Sequence, residues 1–151
     1  MQNRRKVLKQ SMILAGLLAG SGLMPELAHA FNKNAFEAKN IADALKALGV
    51  GAPVESKDVS ITAPDIAENG SVVPIAIATT LSGVKSMLIM AEKNPASLTA
   101  LFNVTDSVEA AFSARIKMGQ SSDVFAVALM NDGRVLYAKK EVKVTLGGCG
   151  G

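Results

Sequence analysis

Beyond Gly51 the apolar residues fall into short runs, several alternating with polar ones, and turn-forming residues separate the runs. Phe112, Ala114 and Ile116 alternate with Ser113, Arg115 and Lys117, the period-two pattern of a strand with one buried and one wetted face. The run from Val124 to Met130 is apolar on both sides, as a central strand would be. Strands are predicted near 57–62, 72–79, 84–91, 98–104, 109–117, 123–130 and 134–145. Between them stand Glu68-Asn69-Gly70, Leu81-Ser82-Gly83, Lys93-Asn94-Pro95, Met118-Gly119-Gln120 and Asn131-Asp132-Gly133. Asn131-Asp132-Gly133 and Asn69-Gly70 read as hairpin turns, because these residues tolerate the positive φ that such turns require. Strands at this spacing predict a mainly-β, immunoglobulin-like β-sandwich.

Residues 34–48 carry a different period and predict one N-terminal amphipathic helix. Asn34 and Glu37 have the spacing of a capping box. Ile41, Leu45 and Leu48 follow at helical intervals, and Gly49 is a suitable stop. The apolar face is expected to pack on the domain or on a partner. Its polar face is not basic, so a membrane role is not expected.

Residues 1–30 are basic, then apolar, then small, the layout of an export leader. Arg4, Arg5, Lys6 and Lys9 begin it. The apolar stretch Met12 to Gly20 is too short for an anchor, which needs about 20 apolar residues. Ala28-His29-Ala30 is a small-x-small cleavage pattern, so the mature chain is expected to begin at Phe31. Asn3-Arg4-Arg5-Lys6-Val7-Leu8-Lys9 resembles a twin-arginine signal, from whose usual form Asn3 and Val7 depart. Such a signal exports folded proteins, and with no convincing cofactor ligands in the chain, a co-exported partner is expected.

Cleavage would change the charge. The leader holds four of the 16 Lys and Arg and one of the 13 Asp and Glu, leaving twelve of each. Nucleic-acid binding then loses its electrostatic support. The only histidine, His29, leaves too, and one cysteine remains. Ser-His and Cys-His nucleophile pairs and most zinc or iron sites are therefore excluded. Met87, Met90 and Met130 read as core filler rather than metal ligands.

That cysteine is Cys149, set in Gly147-Gly148-Cys149-Gly150-Gly151 directly after the last predicted strand. The expected organisation is thus a cleaved leader (1–30), a helix plus sandwich (31–146) and a flexible arm (147–151). Glycine accepts most backbone conformations, and the flanking pairs leave the thiol sterically bare. From Leu146 to Cys149 an extended chain spans roughly 10 Å, enough to enter a narrow cleft on another protein. A pliable arm is a poor active site, because catalysis needs groups held in place. With no imidazole nearby, the thiol is expected near its free pKa of about 8.5. An attachment point activated by visiting enzymes fits better, the logic of group carriers. Three other readings stand beside it: a thiol enzyme such as a peroxidase or sulfurtransferase, a structural immunoglobulin-like module, and a Gly-rich tail that merely dimerises by disulfide.

The terminal Gly147-Gly148-Cys149-Gly150-Gly151 and the twin-arginine-like leader resemble the SoxY family, the carrier subunits of the bacterial thiosulfate-oxidising system. The stretch from Ala63 to Ile75 looks like that family's Glu-Asn-Gly loop followed by a Val-Pro strand; Arg115-Ile116-Lys117-Met118 and Glu141-Val142-Lys143-Val144-Thr145 are also similar. The resemblance implies a periplasmic SoxYZ heterodimer with a SoxZ-like subunit, which lacks its own export signal. It implies Cys149 as the covalent sulfur site and Gly147, Gly148, Gly150 and Gly151 as the arm. A c-type haem enzyme would couple thiosulfate to the cysteine, and a manganese-dependent hydrolase would release sulfate. Depending on the organism, a sulfane dehydrogenase would oxidise the remaining sulfur further, or it would be passed on for storage. Haem and manganese belong to these partners, so the chain itself is expected to hold no cofactor and to be no enzyme.

Overall fold

The computed structural model describes residues 32–145; the expected leader and the 147–151 arm lie outside them. The single helix expected over 34–48 is instead two short ones, α1 (Lys33–Glu37) and α2 (Ile41–Ala47). Ala38 is extended, with φ −65° and ψ 132°. Its carbonyl accepts from Ser97 N at 3.0 Å rather than from a continuing helix. Asn40 then restarts the helix, accepting from Asp43 N at 2.8 Å and donating to Asp43 Oδ2 at 2.7 Å. The cap of α1 is Asn32, not the Asn34–Glu37 pair: its side chain accepts from Ala35 N at 3.2 Å. Asn32 Nδ2 also donates to Ala47 O at 2.7 Å, tying the start of α1 to the end of α2.

Gly49 ends α2 as expected. Its φ is +71°, its N–H donates to Lys46 O at 2.9 Å, and Val50 N donates to Leu45 O at 3.1 Å. This paired arrangement satisfies the last helical carbonyls and favours glycine at the left-handed position.

Nine strands follow: β1 (Val54–Glu55), β2 (Val59–Thr62), β3 (Ile66–Ala67), β4 (Val73–Thr79), β5 (Val84–Ala91), β6 (Leu98–Asn103), β7 (Ala111–Ile116), β8 (Ser122–Met130) and β9 (Val135–Val144). One sheet runs β1-β9-β8-β5-β6 with β3 also on β9, and the other runs β2-β4-β7. The expected mainly-β, immunoglobulin-like sandwich is therefore present. Seven strands lie where alternation predicts them. The two additional ones, β1 and β3, are two-residue parallel pairings on β9, too short to have a period.

Alternation sorts β5 and β8 between two cores. Met87, Ile89, Ala126 and Ala128 face the other sheet, where they meet Ile75, Ile77 and Ile116. Leu88, Met90, Val127 and Leu129 face the opposite way, against Ala35, Ala44 and Leu45 of the helices. Burying each large aliphatic side chain contributes about 1.5–3 kcal/mol, so a strand apolar on both faces stabilises two layers at once. Met87, Met90 and Met130 all lie in these cores, as expected.

Asn131-Asp132-Gly133 forms the β8–β9 hairpin, with Gly133 at φ +88° and Met130 N donating to Arg134 O at 2.9 Å. The hairpin expected at Asn69-Gly70 does not form. Its neighbours β3 and β4 belong to opposite sheets, and the segment crosses between them. Gly70 is required there for a close approach: a Cβ on it would lie 2.4 Å from Met118 O and 2.8 Å from Val144 Cγ1.

Candidate functional site at the end of the last strand

Cys149 and Gly147, Gly148, Gly150 and Gly151 lie outside the described residues. The structure describes the end of β9 up to Thr145, which precedes them in the chain. Chain ends usually have few contacts, but the last residues of β9 are held on both edges and from below. On the outer edge Lys143 N donates to Asp65 O at 3.0 Å and Thr145 N to Ala67 O at 3.1 Å. Thr145 Oγ1 lies 3.3 Å from Glu68 O. On the other edge Val144 N donates to Ser121 Oγ at 2.9 Å. From below, Gly70 O accepts from Met118 N at 2.7 Å, and Gly70 itself abuts Val144.

The strap that supplies the outer edge, Ala63–Glu68, is pinned in turn. Lys140 Nζ donates to Ala63 O at 2.6 Å and pairs with Asp65 Oδ1 at 2.9 Å. The hydrogen bond from Lys140, and then its charge, hold the Asp65 carboxyl below its ordinary pKa of 3.8. Lys140 occupies an unusual place. Leu136, Ala138, Val142 and Val144 are the inward residues of β9, packed in or against the sandwich core. Position 140 shares their parity, yet holds a lysine whose stem is partly covered and whose ammonium emerges at the strap.

The loop bearing Ser121 is fixed as well. Asn94 Nδ2 donates to Lys117 O at 2.7 Å, and Lys93 N donates to Ser122 Oγ at 3.0 Å. Beside the strap opens a groove of about 550 Å³ lined by Pro64, Pro74 and Arg115 among others. Among the described residues no three His, Cys, Asp or Glu gather as metal ligands. Also among them, no helix is long and apolar enough to cross a membrane.

The sequence reading named the thiol and its glycines but missed Asp65, Gly70, Ser121, Lys140 and Thr145. The lysine at an inward position of β9 was the one visible signal. The rest acquire meaning only from partners far along the chain.

This geometry defines a two-sheet β-sandwich whose last strand is hydrogen-bonded on both edges at its end. The superoxide reductase (neelaredoxin) of Ignicoccus hospitalis shares the fold: one variant is 13% identical with TM-score 0.52, covering 58% of this chain and 79% of its own. No curated protein matches the sequence. The family model of the sulfur oxidation protein SoxY matches residues 44–149. The solved structure of the sulfur carrier protein SoxY from Chlorobium limicola f thiosulfatophilum is 32% identical with TM-score 0.61, covering 70% of this chain and 96% of that one. The chain belongs to the SoxY family of sulfur oxidation proteins. It is a sulfur carrier rather than an enzyme.

Proposed function

We propose that this carrier holds thiosulfate-derived sulfur covalently on Cys149, on an arm of Gly147, Gly148, Gly150 and Gly151 that follows the mount at Thr145. The observation that carries the reading is that the family match runs to residue 149, the chain's single cysteine. The held end of β9, four residues before Cys149, supports it.

The chemistry balances as follows. The thiol and thiosulfate join by a new S–S bond to give a cysteine S-thiosulfonate, with loss of one proton and two electrons; a c-type haem partner accepts the electrons. Water then cleaves the bond between the sulfane sulfur and the sulfonate in a manganese-dependent hydrolase. Hydrogen sulfate leaves and a persulfide remains on Cys149. A sulfane dehydrogenase is a further partner where that sulfur is oxidised onward. The chain contributes the sulfur atom and its reach, while bond-making groups belong to the visitors. A SoxZ-like subunit completes the heterodimer, and residues 1–30 export it to the periplasm, leaving 31–146 as the folded domain.

Intact-mass analysis of the protein from thiosulfate-grown cells tests this reading. Thiosulfonate or sulfur adducts on the C-terminal peptide are the expected result, and a uniformly bare thiol would overturn it. A thiol enzyme would turn over substrate alone; the purified carrier should not. Proline at both Gly147 and Gly148 should slow handover while leaving the thiol in place.

A further inference from the structure

The end of β9 is held more elaborately than strand pairing alone requires. Pairing with β8 ends at Val142, opposite Ser122. The next three residues each have an additional partner: Lys143 on Asp65, Val144 on Ser121 and Thr145 on Ala67. Two of those partners sit on one strap, and among the described residues the strap has one ion pair, Lys140 to Asp65 at 2.9 Å, beside the hydrogen bond from Lys140 to Ala63 O at 2.6 Å. An inward position of a sandwich strand normally takes an apolar residue. A lysine there gives up part of that packing, and its ammonium reaches two acceptors on the strap beside the backbone bonds that pair β3 with β9.

We propose that Lys140 and Asp65 are positioning residues for sulfur transfer: by latching the 63–68 strap they hold the end of β9 through Thr145, four residues before Cys149. The proposal rests on Cys149 being the sulfur-bearing residue and adds what sets its reach. A tethered group is presented at an effective concentration governed by the length and origin of its tether. With the origin fixed at Thr145, the thiol lies four residue steps away, roughly 14 Å at most. If the strap lifts, Lys143 and Thr145 lose their outer partners, and the last held residue before Cys149 moves back along β9. A partner's cleft would then meet the thiol less often, although a small reagent in solution would notice no difference.

The test uses the full mature chain with its partner subunit. Lys140→Met keeps the stem in the sandwich and removes the latch; Asp65→Asn removes the same ion pair from a side chain that is 88% exposed and should fold even if the first variant does not. Three quantities are read: amide exchange at Lys143 and Thr145, alkylation of Cys149 by iodoacetamide, and loading of Cys149 from thiosulfate by the haem enzyme at subsaturating concentration. The expected result is faster exchange at both amides, unchanged alkylation, and a loss of loading, which Lys140→Arg reverses. Unchanged exchange would show that Lys140 does not secure the strap. Faster exchange with normal loading would make the latch merely structural. Either result overturns the proposal while leaving the carrier reading intact. That reading fails separately if wild-type protein cannot be loaded on Cys149.

Discussion

At one end of β9 the strand emerges from a three-residue turn, Asn131-Asp132-Gly133, whose contacts are local apart from Asn131 N donating to Gly83 O at 2.8 Å. Arg134 N and Nε donate to the Asp132 carboxylate at 3.0 and 2.7 Å, two residues away. At the other end every anchoring contact is distant. Lys140 meets Ala63 across 77 positions, Thr145 meets Ala67 across 78, and Val144 meets Ser121 across 23. The hairpin end is built by residue types whose short-range preferences favour a turn. The exit end exists only once two sheets, a crossing loop and a strap have assembled around it. The end of β9 is thus held up to its last described residue by contacts that only the assembled fold supplies.

The contrast can be broken in several places. The largest effect is expected from Cys149→Ser, which should abolish sulfur loading completely while leaving circular dichroism and the melting curve unchanged. Persistent loading of that variant would sink the carrier assignment. Next comes Gly70→Ala at the exit end. The added methyl meets a backbone oxygen that cannot easily yield, so the cost should be about 1–3 kcal/mol, read from the urea midpoint. Gly133→Ala at the hairpin end should cost about 1–2 kcal/mol through its positive φ. It should leave loading untouched, because the turn lies at the other end of the strand. A drop in loading with Gly133→Ala would mean that the two ends are coupled.

The smallest effect separates the ends by pH. Both carry a carboxylate held below its ordinary value: Asp65 by the hydrogen bond and charge of Lys140, Asp132 by backbone and side-chain hydrogen bonds from Arg134. A depressed folded pKa contributes stability that is present above the unfolded value, about 3.9. That contribution is lost as pH falls from there through the folded value. Acidification across this range should therefore loosen protection at Lys143 in the wild type. Asp65→Asn should lose that step at Lys143 and keep the one near the hairpin. An identical acid profile in both proteins would remove Asp65 from the account.

How much was legible beforehand follows from the range of each determinant. Seven strands, the Gly49 helix stop and the Asn131-Asp132-Gly133 turn were readable because alternation, capping and positive φ act within a few residues. The break at Ala38 was not, since its carbonyl is claimed by Ser97 of a distant segment. Asn69-Gly70 misled for a related reason: the same dipeptide serves a tight turn or a close crossing, and only the presence of Met118 and Val144 beside it decides which.

By itself the sequence determined which strands would be apolar on one face or two, and that the single cysteine stands among glycines after the last of them, because these are properties of composition and short-range order. Only the tertiary structure decided where that strand is clamped. β1 and β3 are two residues each and have no pattern of their own; they are strands because β9 offers them an edge. Lys140 likewise becomes a latch only when folding carries Asp65 to within 2.9 Å of it.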